Sequence, residues 1–276
     1  MIAQAALVLA SRRLAEAGVE GAPRDARRLL AHVLGVELGR VTLITQDDLS
    51  EHDQTLFEKA VERRALREPL SHITGTREFY GRVFTVTSDV LDPRPDTELL
   101  VDVALRTPFH RVLDLGTGSG CILLSVLSEQ PEATGVGVDL SEKALAVADR
   151  NMQNLGLSER ATLRQSNWWD NVEGTFDLIL SNPPYIREDE MADLSPEVQE
   201  WEPHLALTPG GDGLAAYREI IDKAAMYLNP NSRLAVEIGA EQDQQVANLF
   251  KSAGYRDIFV ERDMNEKDRV VCGRRP

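Results

Sequence analysis

From Arg111 to Cys272, short runs rich in aliphatic and β-branched residues alternate with longer stretches of helical periodicity. The strand-like runs are Arg111–Leu115, Gly135–Asp139, Thr162–Gln165, Phe176–Leu180, Leu234–Ile238, Ile258–Glu261 and Arg269–Cys272. Helical patterns fall at Cys121–Glu129, Glu142–Asn154, Leu214–Leu228 and Gln242–Ser252. This alternation leaves few topologies, because parallel neighbours need a crossover and the crossover helices then cover both faces of the sheet. A mostly parallel α/β sheet follows, with ligands at the carboxyl ends of its strands. Only Arg262–Asp268 separates the last two runs, too short for a crossover, so they read as an antiparallel hairpin. Between Leu180 and Leu214 the chain shows little periodicity, and a connection of that length in a compact domain is usually functional.

Upstream the pattern differs. Ala3, Ala6, Leu7, Ala10 and Leu14 recur at helical spacing, as do Ala26, Leu29, Leu30, Val33 and Leu34. Gly18 and Gly35 stand where such helices stop, and Ser50 with Asp53 suggests a capping box for a third helix carrying Leu56, Ala60 and Val61. Helices this short bury too little alone, which predicts a bundle of three or four over residues 1–75. Glu78-Phe79-Tyr80 and Val83–Thr87 flank a Gly81-Arg82 turn, a β-hairpin within a linker over 76–92. Then comes Leu91-Asp92-Pro93-Arg94-Pro95-Asp96-Thr97-Glu98. Its two prolines stiffen the backbone and forbid helix at Arg94, marking a rigid linker or the start of the second domain, which is taken over 93–276.

Charge narrows the partners. The 276 residues carry 30 Lys and Arg against 45 Asp and Glu, a net charge of -15. The first 85 residues balance at 12 of each sign, so the acidic excess lies entirely downstream. No basic stripe is present to neutralise a phosphate backbone, which argues against stable binding of nucleic acid. Cys121 and Cys272 form no Cys-x-x-Cys and have no His cluster nearby, so no metal site is expected and two free thiols suit a reducing cytoplasm. The apolar run Ala5–Ala10 is followed, not preceded, by basic residues, the wrong order for a secretory signal. No stretch approaches the ~20 apolar residues of a membrane span. A monomer away from the membrane is the expectation.

Three constellations carry chemistry. The first is Val112–Leu115 running into Gly116-Thr117-Gly118-Ser119-Gly120, a buried strand followed by a glycine turn and a helix start. Glycine there lets a ligand approach the backbone where a Cβ would collide, and the helix start offers unpaired N–H groups to a carboxylate. A dinucleotide fingerprint wants its third glycine three residues after the second, and Cys121 occupies that place, which disfavours a pyrophosphate. The second is Asp139, an acid at the tip of the next strand, placed to accept both hydroxyls of a ribose; beside Ser141 it also suits a helix cap. The third is Asn182-Pro183-Pro184-Tyr185, at the end of the strand Phe176–Leu180. Its prolines fix two φ angles and hold the Asn182 and Pro183 carbonyls toward the cleft, while the Asn182 side chain adds an acceptor and Tyr185 a flat face. Acceptors beside an aromatic plane match a planar group bearing –NH₂, either an amide or an exocyclic base amine.

Asp114-Leu115-Gly116-Thr117-Gly118-Ser119-Gly120 followed by Asn182-Pro183-Pro184-Tyr185 resembles the class I S-adenosylmethionine-dependent methyltransferases that act on planar nitrogens. The Pro93–Glu98 segment, the helical N-terminal region, Ala206–Leu214 and Glu237-Ile238-Gly239 narrow the resemblance to the peptide chain release factor N5-glutamine methyltransferases, the PrmC/HemK family, over nearly the whole chain. The resemblance implies a Rossmann-like, seven-stranded, mostly parallel sheet with a C-terminal antiparallel hairpin, preceded by a helical bundle that docks the substrate. It implies methyl transfer from S-adenosylmethionine to the side-chain amide of a glutamine in the GGQ motif of a release factor, leaving S-adenosylhomocysteine. Gly116, Thr117, Gly118, Ser119, Gly120, Asp139, Trp168 and Asn182 would hold the cofactor, with Trp168 packed on adenine. Asn182, Pro183, Pro184 and Tyr185 would form the catalytic turn and receive the glutamine. Two departures stand out: Asp96 lies where the family usually has Glu, and Asn265-Glu266-Lys267 replaces a turn that often carries glycine.

The closest rival is an adenine N6-methyltransferase acting on DNA or RNA, because the same turn serves a flipped adenine. Such an enzyme needs a basic groove, and the catalytic half here is acidic. A small-molecule amine methyltransferase would not need the helical module, and a binding module that had lost catalysis would show degenerate motifs. His32, His52, His72, His110 and His204 are scattered and read as structural or surface residues, so no general base is named. Arg94, Thr97 and Glu98 share a place near the pocket, with roles the sequence does not separate.

Overall fold

The computed structural model describes residues 1–275, which group into two compact units. Met1–Thr76 and Ser195–Trp201 make the first; Arg77–Leu194 and the chain from Glu202 onward make the second.

In the first unit, helices Ala3–Glu16, Ala22–Leu34 and Glu51–Ala65 enclose a core that includes Leu7, Leu14, Leu29, Leu30 and Phe57. Most of the periodic residues are buried, but Val33 and Leu34 are only partly so, and Leu56 is exposed while Phe57 takes the core position beside Ala60 and Val61. Gly35 closes the second helix at φ 61°, where a left-handed residue lets its N–H reach carbonyls of the last turn. Ser50 accepts the Asp53 N–H at 3.1 Å, but the Asp53 carboxylate bonds the Ser50 hydroxyl and not its backbone, so only half of a capping box forms. A short helix, Leu70–Thr74, follows. Helix Pro196–Trp201 joins this unit through Arg64, which is buried between Asp25 at 2.9 Å and Glu197 at 3.0 Å.

The second unit begins at Arg77, within a hairpin of β1 (Thr76–Phe79) and β2 (Arg82–Thr85). Its turn is Tyr80-Gly81, one residue earlier than the sequence suggests. Both have positive φ, 49° and 68°, as the tight two-residue turns of hairpins require. Phe79 and Phe84 meet edge-on at 6.0 Å and bury in the same core as Leu100, so the hairpin is part of this unit and not a free linker. Pro95 begins a 3₁₀ turn, Pro95–Thr97, that leads into helix Glu98–Leu105. Arg94 is extended, as a residue before proline must be, yet the proline then sits at a helix start where its missing N–H costs nothing.

Seven strands follow: β3 (Arg111–Leu115), β4 (Thr134–Asp139), β5 (Ala161–Gln165), β6 (Phe176–Ser181), β7 (Leu228–Glu237), β8 (Arg256–Arg262) and β9 (Asp268–Arg274). Their order is β5-β4-β3-β6-β7-β9-β8, parallel except that β9 runs against both neighbours. This is the class I methyltransferase sheet expected from the sequence. Alternate residues of β3 feed opposite cores: Val112 joins Leu123, Leu127 and Leu178 on one face, and Leu113 joins Ile179, Ile220 and Phe250 on the other. Double burial explains why these strands read as continuous apolar runs. Cys121 and Cys272 are buried free thiols. Among the described residues, no helix is long and apolar enough to cross a membrane.

Candidate active site

Strand register aligns the functional positions along one edge. Leu115 pairs with Val138 on one side and Ser181 on the other, and Ser181 pairs with Val236. Gly116, Asp139, Asn182 and Glu237 therefore stand at or just beyond neighbouring carboxyl ends. The Ser181 hydroxyl locks β6 to β3 there, donating to the Leu115 carbonyl at 2.7 Å. The chain moves outward from β3 to β5, then returns to the far side of β3 as β6, and such a switch point opens a crevice. A cavity of roughly 630 Å³ occupies it, ample for a cofactor-sized ligand.

One wall is the glycine turn. Gly116 and Gly118 have φ of 73° and 56°, and a Cβ on Gly118 would meet no protein atom within 4 Å. Gly116, Thr117, Gly118 and Ser119 line the cavity. Gly120, expected to touch a cofactor, does not line it. It precedes helix Cys121–Glu129 at φ 80°, and a Cβ there would come within 3.0 Å of Leu124 and 3.4 Å of Ala148. Its small size serves packing. Behind the turn Asp114 is fully buried; the Thr117 hydroxyl donates to its Oδ2 at 2.7 Å, and Oδ1 has no partner. Burial pushes its pKa up to about 7.

Asp139 ends β4 and lines the cavity. Its Oδ2 accepts the Gly118 N–H and its Oδ1 the Ser141 N–H, both at 2.9 Å. The carboxylate thus ties the glycine turn to the strand tip and keeps further lone pairs on each oxygen. Burial raises its pKa, and these N–H groups pull it back. The helix Glu142–Asn154 is capped by Ser141, whose Oγ accepts the Ala144 N–H at 3.2 Å.

Trp168 lines the cavity beside Gly116 and has φ 52°, a left-handed conformation that costs a bulky residue about 1–3 kcal/mol. Its neighbour Trp169 is the core aromatic, donating from Nε1 to the Glu219 carbonyl at 3.0 Å and stacking on Tyr227.

Beyond β6, Asn182 and Pro184 line the cavity, whereas Pro183 and Tyr185 do not. The Asn182 Nδ2 donates to Thr97 Oγ1 at 3.2 Å. Tyr185 turns its hydroxyl to Glu237 Oε1 at 3.3 Å, so that hydroxyl is engaged within the protein. The turn is gripped from outside. The Leu207 carbonyl accepts the N–H groups of Tyr185 and Ile186, and Gln242 Nε2 donates to the Tyr185 carbonyl at 2.9 Å. Gly213, at φ 73°, passes so close that a Cβ would lie 2.5 Å from that same carbonyl oxygen.

Glu237 ends β7 and is buried completely. Its Oε2 has no partner in good hydrogen-bond geometry, although the Thr97 hydroxyl lies beside the carboxylate and favours its charged form. Burial outweighs Thr97, Arg269 and Tyr185 together and raises the pKa to about 7. Arg269 is itself held by Asp263 and by Asp96, each at 3.0 Å, which places the departure at Asp96 in an ion pair near the site.

The structure separates the three residues that the sequence grouped. Arg94 clamps both oxygens of Glu202 at 2.7 and 2.8 Å, Thr97 contacts Asn182, and Glu98 accepts the Tyr80 N–H at 2.7 Å. Sequence reasoning missed Thr97 as a partner of Asn182, and also Glu202 and Gln242. It quoted Glu237 in a motif without a role; an acid closing an otherwise apolar strand was the available signal. His204, read as structural or surface, is exposed and lies on the cavity wall.

Residues 5–75 match a family described as the PrmC N-terminal domain, and residues 84–200 match one described as the methyltransferase small domain. Over 276 residues the chain is 52% identical to the release factor glutamine methyltransferase of Cereibacter sphaeroides, spanning 100% of this chain and 99% of that one. It is 44% identical over 266 residues to the release factor glutamine methyltransferase of Caulobacter vibrioides, spanning 95% and 92%. A crystal structure of a methyltransferase from Pyrococcus furiosus superposes with a TM-score of 0.57 at 17% identity, over 78% of this chain and 98% of that one, a likeness of fold. On the two family matches and the full-length identity, the chain belongs to the release factor glutamine methyltransferase family.

Proposed function

We propose that this protein transfers a methyl group from S-adenosylmethionine to the side-chain N5 of a glutamine in the GGQ motif of a peptide chain release factor. The observation that carries the reading is Asn182, held by Thr97 on the wall of a cavity whose other side is Gly116–Ser119 and Asp139. The cavity residues fit the cofactor. Gly118 leaves open space where a side chain would stand, Asp139 retains lone pairs for ribose hydroxyls, and Trp168 offers a ring to adenine. When bound, the cofactor supplies a methyl group made electrophilic by its sulfonium.

An amide nitrogen is a poor nucleophile because its lone pair is delocalised into the carbonyl. Asn182 Oδ1, on the cavity wall, accepts one of its N–H groups, fixes its direction and favours pyramidalisation; Pro183, whose carbonyl the sequence offered as a second acceptor, does not line the cavity. As the N–C bond forms and the C–S bond breaks, the nitrogen gains positive charge. One proton then leaves to water and S-adenosylhomocysteine is released. No strong base is needed, because the N–H becomes acidic only as the new bond forms. Positioning contributes most, about 7–11 kcal/mol in favourable cases, with about 3 kcal/mol from an acceptor aimed at developing charge.

The helical unit presents the protein substrate, and Val8 and Leu9 on its first helix are apolar and more than half exposed. We place the reaction in the cytoplasm, with the enzyme a monomer, and the acidic balance downstream of residue 85 disfavours nucleic acid as substrate. The test is incubation with labelled methyl donor and a purified bacterial release factor, with duplex DNA in parallel, followed by mapping of the modified atom. Label on glutamine N5 and none on DNA is expected; label on a nucleobase, or an unmodified glutamine, refutes the reading.

A further inference from the structure

We infer that Thr97 and Glu237 form a relay that sets which end of the Asn182 carboxamide faces the substrate. The inference rests on the glutamine-methylation reading and names the residues that orient its acceptor. A carboxamide is nearly symmetric in shape, but its two ends have opposite hydrogen-bonding sense. With Oδ1 toward the cavity, Asn182 accepts an N–H from the substrate. Flipped, it would set one –NH₂ against another. Pro183 and Pro184 fix the backbone of the turn and leave that side-chain torsion free.

Thr97 alone does not decide the matter, because a hydroxyl both donates and accepts and so satisfies either end. Glu237 removes the ambiguity. Above about pH 7, where it is ionised, the carboxylate only accepts; it lies at the tip of β7 with the Tyr185 hydroxyl 3.3 Å from Oε1 and the Thr97 hydroxyl beside it. Once the single Thr97 proton is directed to Glu237, only lone pairs remain for Asn182. Thr97 therefore takes Nδ2, as observed at 3.2 Å, and Oδ1 is left for the cavity. A neutral glutamine would fill the same space, but it brings a donor as well as an acceptor and would restore the ambiguity. Arg269, facing the site from β9 between Asp96 and Asp263, helps hold the charge in place. Thr97 and Glu237 are positioning residues that act through Asn182.

The test measures methylation of a purified release factor at about pH 8, where Glu237 is ionised, and at saturating donor, with cofactor affinity measured separately by calorimetry. Thr97→Val, which keeps shape and removes the hydroxyl, is expected to lower kcat by about tenfold or more while the cofactor Kd stays within about threefold. Thr97→Ser recovers most of the rate, and Glu237→Gln loses rate without losing cofactor affinity. A Thr97→Val enzyme with wild-type kcat overturns the relay, as does a Thr97→Ser enzyme as impaired as Thr97→Val. A cofactor affinity that falls in parallel with kcat overturns it too, and wild-type kcat in Glu237→Gln overturns the part assigned to the carboxylate. Asn182→Ala, run alongside, keeps the two readings apart. If it methylates normally the amide clamp itself fails, whereas a dead Asn182→Ala beside an active Thr97→Val removes only the relay.

Discussion

Replacing Glu237 by Gln removes a buried carboxyl whose protonation is controlled by the fold. Burial moves its pKa from an ordinary value near 4.5 up to about 7, against the opposing influence of Thr97, Arg269 and Tyr185 and with the help of Asp96. A raised carboxyl pKa means that the native state holds the proton more tightly than the unfolded chain. Its contribution to stability is fully present below about pH 4.5 and is lost as pH rises through about 7. By about pH 8 the loss is about 3 kcal/mol, whereas at about pH 5 it is under about 1 kcal/mol. Gln does not ionise and escapes this loss. Its own packing and hydrogen bonds count equally at both pH values, so the difference between the two pH values isolates the carboxyl. The carboxyls of Asp114 and Asp139, also raised by burial, are present in both proteins and cancel. Thermal unfolding followed by circular dichroism should show Glu237→Gln gaining about 5–10 °C relative to wild type at about pH 8 over its gain at about pH 5. A variant-minus-wild-type difference that does not change with pH refutes the reasoning.

Gly213→Ala combines a left-handed φ with a Cβ 2.5 Å from the Tyr185 carbonyl oxygen; kcat should fall and stability drop by about 1–3 kcal/mol, and a normal kcat would show that Gly213 does not set the turn. Asp139→Asn weakens hydrogen bonds to both the glycine turn and a ribose, so calorimetry should find the S-adenosylmethionine Kd raised about tenfold to a hundredfold, with an unchanged Kd counting against the ribose role. Arg64→Ala leaves buried Asp25 with only the longer contact to exposed Arg24 at 3.7 Å, and urea unfolding should show a loss of about 3 kcal/mol, while a loss near zero would mean that Arg24 or water compensates the charge. Leu9→Glu should raise KM for the release factor without moving cofactor Kd, and an unchanged KM removes this face from substrate docking. That substitution is a cleaner test than deletion of residues 1–75, which would strip Glu197 of Arg64 and Arg67.

Elements whose signal lies within their own residues were legible. Arg111–Leu115, Cys121–Glu129 and Glu142–Asn154 have the bounds that periodicity indicates, because each must present one apolar face, or two, to a core. Helix Glu98–Leu105 was missed because Pro93 and Pro95 read as a linker, when Pro95 instead begins a helical turn. The upstream part of β7, Leu228–Arg233, was also missed: it contains Asn229-Pro230-Asn231 and pairs with β6 through a register shift, so no alternation marks it. Ser195–Trp201 packs through Arg64 and Arg67, residues about 130 positions away, and no local pattern encodes such a partnership. At the site, the motifs that approach a ligand with their backbone were visible as glycine and proline, while the partners that orient them were not. Gly120 shows the limit of that reading, since a glycine required for packing looks in sequence like one required for a ligand.

Asp114 and Glu237 suggest how much of the supporting structure a sequence can still reveal. Each is completely buried, has one carboxylate oxygen without a partner, and is raised to about 7. Replacement of a buried, incompletely satisfied carboxylate by a well-packed neutral residue is often neutral or stabilising, so stability alone does not account for either. Each also stands at the carboxyl end of a strand, two residues before a glycine, in Asp114-Leu115-Gly116 and Glu237-Ile238-Gly239. Those two strands flank β6, whose carboxyl end carries the Asn182 turn. An acid at that place can reach back under the loop that follows, where it organises hydroxyls: Thr117 beside Asp114, and Thr97 with Tyr185 beside Glu237. Hydroxyls so committed have their lone pairs left for the residues that touch a ligand. The unfavourable burial is therefore concentrated where orientation matters, and an acid ending an apolar strand just before a glycine is a sequence feature that marks the layer beneath a binding turn.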